Sequence, residues 1–295
     1  MERPPAANRL GEYLIARRGL VTPERVGLPS GPNRRVPGLR REEVALLAGI
    51  SLDYYMRLER GRDDHPSPQV LESLAGVLQL DDVEKEYLLG LGDHRPRARR
   101  NRTVERVPAR LHQLLATLEV PAFIEGRHFD VLASNAIARA FSPRLAPGHN
   151  RLRSLLLDPE ERAFQSEWER ATADAVASFR HLVGDDVTDV RAIELVGELS
   201  LASARFRTLW ARQDVRELSG NSAVVHHPSV GTMRMHREKL PVDGLVLVVY
   251  HPEVDGDSAE KLRLLASLAA GRDGDHRTNG RRVAGPPRAS RPSRS

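Results

Sequence analysis

The 295-residue sequence contains no cysteine, which excludes disulfides, thiolate metal sites and cysteine nucleophiles and is compatible with a reducing compartment. No apolar stretch approaches the roughly 20 residues of a membrane span. The start, Met-Glu-Arg-Pro-Pro, lacks the apolar core of a signal peptide. A cytoplasmic protein is expected. The chain also lacks a Gly-rich phosphate loop, a Gly-x-Ser-x-Gly turn and a His-Glu-x-x-His helix. Adjacent His226 and His227 would point to opposite faces of a strand and cannot share one ion. No enzyme activity, catalytic residue, metal or cofactor is therefore expected. Lysine is scarce, at three of 45 basic residues. Arginine suits bidentate contacts to phosphate and guanine, although a GC-rich genome gives the same bias.

The net charge of +5 is unevenly placed. Residues 271–295 hold seven Arg and two Asp, so the rest of the chain is neutral overall. Residues 1–100 carry 17 basic and 15 acidic side chains and residues 101–270 carry 21 and 23, so any positive signal for a polyanion is local. It lies in Arg34, Arg35, Arg40 and Arg41, and again in Arg57, Arg60 and Arg62.

Those two groups stand at the two ends of Arg41-Glu-Glu-Val-Ala-Leu-Leu-Ala-Gly-Ile-Ser-Leu-Asp-Tyr-Tyr-Met-Arg-Leu-Glu-Arg-Gly61, partly within it. Val44, Leu47 and Ala48 fall at i, i+3 and i+4, one face of a helix over about 41–48. Gly49 can take the left-handed conformation that closes a helix, and Ile50 follows as an apolar plug. Ser51 can cap a second helix over 52–60, with Tyr55 and Leu58 inward and Leu52, Asp53, Met56 and Arg57 projecting elsewhere. An ordinary helical hairpin uses similar parts. The small Ala45, the turn Gly49, Ile50 and the cap Ser51 at these offsets, with arginines on both sides, instead resemble the lambda-repressor/Cro-like helix-turn-helix domains. That geometry lays the second helix in the DNA major groove. The residues expected at DNA are Arg40, Arg41, Ser51, Leu52, Asp53, Tyr54, Arg57 and Arg62. Of these, Arg57 would read a base, Arg41 would hold a phosphate, and Asp53 would act by repelling wrong sites.

Around this unit, helices are expected over 8–18, from Pro68 capped by Ser67, and from a capping-box start at Asp81 and Glu84. Five helices make an all-α domain over 8–92. An Arg- and Pro-containing linker follows over 93–110. In residues 111–270, a leucine stripe precedes two short strands about Gly126. Helices follow over 153–157, 159–182 and 187–214, then strands over 223–227, 230–235 and 245–250, and a closing helix over 258–270. This order fits a five-stranded antiparallel sheet with helices on one face, an α+β arrangement that encloses a cavity. The tail, 271–295, reads as disordered.

Val36-Pro-Gly-Leu-Arg-Arg-Glu-Glu-Val-Ala-Leu-Leu-Ala-Gly, Asp53-Tyr-Tyr, Leu58-Glu-Arg-Gly-Arg, His65-Pro-Ser-Pro, Phe129-Asp-Val-Leu-Ala, Leu209-Trp-Ala-Arg and His227-Pro-Ser-Val-Gly together resemble the MmyB-like regulators over residues 8–270. Ser134 departs from the tryptophan usual there. The resemblance implies a Cro-like DNA-binding domain joined to a PAS-like ligand-binding or dimerisation domain. The chain is then expected to be a sequence-specific bacterial transcription regulator, a homodimer on an inverted repeat of double-stranded DNA, responding to a small apolar ligand. Phe123, Leu132, Trp168, Trp210 and Val248 would line the pocket. The alternative is a second domain that only docks a protein such as RNA polymerase and encloses no ligand.

Overall fold

The computed structural model describes residues 8–29, 34–63, 65–92, 105–184, 189–254 and 256–279. Most of the expected linker (93–104) and the end of the tail (280–295) lie outside them.

The first helices form where caps satisfy their free amides. Asn8 caps α1 (Arg9–Leu20) by accepting from Gly11 N. In α2 (Arg41–Leu47) the Glu43 carboxylate reaches back to the Arg40 N–H at 2.7 Å. Ser51 accepts from Tyr54 N at the start of α3 (Leu52–Glu59), and Ser67 accepts from Val70 N at α4 (Pro68–Val77). Asp81 and Glu84 exchange side chain-to-backbone bonds at the start of α5 (Asp82–Gly92). Tyr13, Leu14, Val44, Tyr55, Leu58, Leu74 and Leu88 are fully buried in the shared core.

The most deeply buried charged group among the described residues of this domain is a carboxylate. Glu59 is 2 % exposed. Its carboxylate takes Arg18 Nε at 2.7 Å on one oxygen and Arg41 Nε at 2.5 Å on the other, joining α1, α2 and α3. Its backbone carbonyl accepts from Asn8 Nδ2. Gly11 must be glycine for this approach, because a Cβ there would stand 2.2 Å from that carbonyl.

In the second domain α6 (Ala109–Thr117) precedes β1 (Ala122–Glu125) and β2 (Val131–Ser134). Then come α7 (Ala136–Phe141), α8 (Arg151–Leu157), α9 (Pro159–Phe164), α10 (Trp168–Val183), α11 (Val190–Ala202) and α12 (Ala204–Ala211). β3 (Asn221–His227), β4 (Gly231–Val242) and β5 (Leu245–Pro252) complete an antiparallel sheet of order β2-β1-β5-β4-β3, and α13 (Ser258–Asn279) follows.

Four expectations need correction. Helices cover both sheet faces, not one: Leu111 and Leu115 of α6 pack with Ile124 and Leu247, while α7 and α13 cluster with Phe123, Val246 and Val248, which have the opposite parity. The long helices expected over 159–182 and 187–214 are each broken. Gln165 bridges to Val225 of β3 between α9 and α10, and Ser203 starts α12 by accepting from Phe206 N. β4 runs seven residues beyond its expected end at Met235, to Val242, and α13 continues past Ala270, through part of the tail expected to lack structure. As expected for neighbours on a strand, His226 is exposed and His227 buried.

Removing one partner of a buried ion pair leaves the other charge uncompensated, at a cost of about 3–5 kcal/mol. Glu59→Leu should lower the unfolding free energy of the first domain by that order, read as a lower denaturant midpoint with the slope unchanged. A loss below about 1 kcal/mol, the range of a surface pair, would show that Glu59 does not hold the three helices together.

Candidate DNA interface and ligand cavity

α2 and α3 are joined by a turn in which Gly49 has φ +68°, a conformation that costs glycine least. Ile50 N donates to Ala45 O at 3.0 Å, and Ser73 of α4 donates to Ala48 O at 2.8 Å, pinning the turn from outside. The buried side of α3 is Tyr55, Leu58 and Glu59. Ser51, Leu52, Asp53 and Arg57 are exposed, and Tyr54 and Met56 are half-buried. Arg40, Arg41 and Arg62 are exposed. The structure therefore brings Ser51, Leu52, Asp53, Tyr54 and Arg57 together on the outward start of one helix.

Within that group Arg57 is already engaged. It pairs with Asp53 one turn earlier, and its guanidinium lies 5.4 Å from the centroid of the Tyr54 ring. Arg41 spends its Nε on Glu59, and that hydrogen bond is the main reason its guanidinium is held above its ordinary pKa. Its side chain remains half exposed. Arg34, outside the expected set, makes a two-pronged pair with Glu43 and donates to the carbonyls of Val36 and Gly38, shaping the loop before α2.

The second domain holds a cavity of about 350 Å³ between the sheet and helices α8 and α10. That volume lies in the range of small-molecule sites. Its floor consists of two cross-strand rows. Phe123, Val248 and Lys239 are paired across β1, β5 and β4, and Tyr250, Arg237 and Asn221 across β5, β4 and β3. The floor therefore grades from apolar on β1 and β5 to polar on β4 and β3. Phe129 and Leu155 add to the apolar wall. Several wall charges have partners: Arg151 with Glu161, Arg216 with Asp174, and Lys239 with Glu125 at 3.4 Å.

Two buried polar atoms in this wall have no hydrogen-bond partner, Asn221 Oδ1 and Arg237 Nε, while Glu125 Oε1 is held only by the Lys239 ion pair. Buried polar atoms are normally hydrogen-bonded, so their convergence on one cavity marks where a polar molecule would complete them.

Of the expected pocket residues, Phe123 and Val248 line the cavity. Leu132 packs with the cluster under α6. Trp168 donates its Nε1 to Leu155 O, and Trp210 stacks on Phe206 at 5.4 Å beneath the Arg180 guanidinium. Arg237, Lys239 and Asn221 also line the cavity and lie outside the expected set. The usable signal was parity: Arg237 and Lys239 continue the inward alternation of Met233 and Met235.

A family model described as MmyB-like transcription regulator ligand binding domain matches residues 107–265, just over half of the chain, and one for a Helix-turn-helix domain matches residues 9–88. The chain belongs to the MmyB-like transcription regulators. No curated protein matches it. In this MmyB-like regulator the helix-turn-helix carries DNA binding and the cavity lies within the matched ligand-binding domain. Among the described residues, no helix is long and apolar enough to cross a membrane, and no cluster of side chains could hold a metal ion.

Burial pushes the Lys239 ammonium below the usual lysine range, against the opposing pull of Glu125. The folded group then sheds its proton at lower pH than the unfolded one. Between the depressed value and the ordinary lysine value of about 10.4, the unfolded chain binds more protons, so stability rises with pH there. Lys239→Met should flatten that rise in denaturant unfolding followed from neutral pH to about pH 10. A variant with the wild-type slope would contradict a Lys239 ammonium depressed by burial.

Proposed function

We propose that this regulator binds an inverted-repeat operator as a homodimer, reads it with α3, and changes its binding when a small molecule fills the second-domain cavity. The observation that carries the ligand reading is the pair of unpartnered atoms on Asn221 and Arg237 at the polar end of a cavity whose other end is aromatic and aliphatic. The ligand is amphipathic rather than mainly apolar. It offers an acceptor to Arg237 and a donor to Asn221, with its apolar part over Phe123, Val248 and Tyr250. Organic extraction of the purified protein followed by mass spectrometry tests this: a small molecule bearing both polar and apolar groups should be released, and Arg237→Met should reduce its yield. A hydrocarbon-like molecule, or none, would count against it.

The dimer reading rests on length. α3 has eight residues, about 12 Å at 1.5 Å per residue. A helix that short reaches few base edges, and two half-sites one helical turn apart multiply the discrimination.

The Asp53–Arg57 pair refines the roles on α3. Free Arg57 can donate two bonds to guanine, whereas Asp53 accepts only from cytosine or adenine amino groups and repels phosphate. Asp53 thereby holds Arg57 off non-specific DNA until a correct base competes for it. On sites selected from a random pool, Arg57→Ala should cost about 1–3 kcal/mol and relax choice at one position. Asp53→Ala should bind random DNA more tightly at low salt. Equal losses on selected and random DNA for Arg57→Ala, or unchanged random-DNA affinity for Asp53→Ala, would remove these roles.

A further inference from the structure

The segment between α12 and β3 belongs to both domains. Gln213 follows α12 with φ +59°, uncommon for a residue with a side chain, and the chain then runs outside helix and strand to residue 220. Asp214 pairs with Arg17 of α1 at 2.9 Å, and Arg17 also holds Glu84 of α5 at 2.6 Å. Val215 is 1 % exposed and lies in the hydrophobic core of the first domain, with Tyr13, Leu14 and Leu88. The next residue turns the other way: Arg216 N donates to Ala177 O, its guanidinium meets Asp174 at 3.1 Å, and Arg216, Glu217 and Ser219 line the cavity. Val215 and Arg216 are sequence neighbours, with Cα atoms only about 3.8 Å apart across one peptide. A cavity wall and a plug in the other domain's core are therefore one peptide apart.

On α1 the same proximity recurs. Arg17 grips the segment through Asp214, and adjacent Arg18 grips Glu59 of the DNA-reading helix. We propose that residues 214–219 are the link through which the contents of the cavity act on the helix-turn-helix. An occupant that displaces Arg216 or Glu217 moves Val215 and Asp214 with them, and Arg17 and Arg18 carry the change to α3. This deepens the ligand reading above and rests on the cavity being the ligand site. Arg216→Ala alone would not isolate the link, because it removes a cavity wall as well as a connection.

The absence of cysteine permits a test that needs no knowledge of the natural ligand. Ala175 lines the cavity from α10 and is partly exposed. Ala175→Cys in the full chain, labelled with benzyl methanethiosulfonate, forms a mixed disulfide with loss of methanesulfinate and tethers an aromatic occupant. Hydrogen exchange of α1, α3 and α5 is compared in singly labelled and unlabelled protein. The link predicts a change of about fivefold or more, the low end of ordinary allosteric coupling. With Val215→Ala added, the change should fall below about twofold on that scale. Asp214→Asn, which keeps the shape and breaks the ion pair, should reduce it in a chain whose core is intact. An unchanged first domain on labelling, or an undiminished response in both variants, would overturn the link. Failure to extract any native small molecule would bear on the ligand reading alone, since the tethered response does not depend on it.

Discussion

A carboxylate that is nearly sealed from water must be paired, because an isolated buried charge costs several kcal/mol. Glu59 meets that demand with Arg18 from one helix and Arg41 from another, and so fixes where α3 stands relative to α1 and α2. Everything the outward face of α3 can do depends on that placement. Ser51, Leu52, Asp53 and Arg57 are presented as a set because Tyr55, Leu58 and Glu59 are held inward. One Arg41 nitrogen thereby orders the core, while the side chain stays half exposed beside that face.

Much of the first domain was legible because its signals are local. Ser51, Ser67 with Pro68, and Asp81 with Glu84 act within one turn of themselves, and the structure uses each as a cap. Glu59 was not recognised as buried, although it extends the inward stripe of Tyr55 and Leu58 by one helical step. Its partners come from sequence positions 18 and 41, which no window around residue 59 contains. The same limit explains the broken helices. The bridge from Gln165 to Val225 is a contact across 60 residues, and nothing near Gln165 announces it.

The cavity was hardest to read because its chemistry opposes the usual expectation for a sheet. Strands are found by apolar alternation, and β4 loses it after Met235, where Arg237 and Lys239 take the inward positions. A charged run there reads as a strand end. Once the strand is seen to continue, the same residues explain why the cavity is polar on one side. The tryptophans misled in the opposite direction. Both are large enough to fill gaps between helices, and both find their polar partners there, Trp168 at a carbonyl of α8 and Trp210 beside Arg180.

The placement of α3 is tested most directly by methylation interference on DNA selected from a random pool with the full-length protein. Methyl groups on guanine N7 lie in the major groove, and those on adenine N3 lie in the minor groove. Docking by the Ser51–Arg57 face predicts that guanine N7 methylation blocks binding at two clusters about one helical turn apart, with Arg57→Ala losing sensitivity at one position in each. Interference confined to adenine N3, or an Arg57→Ala pattern identical to wild type, would contradict it.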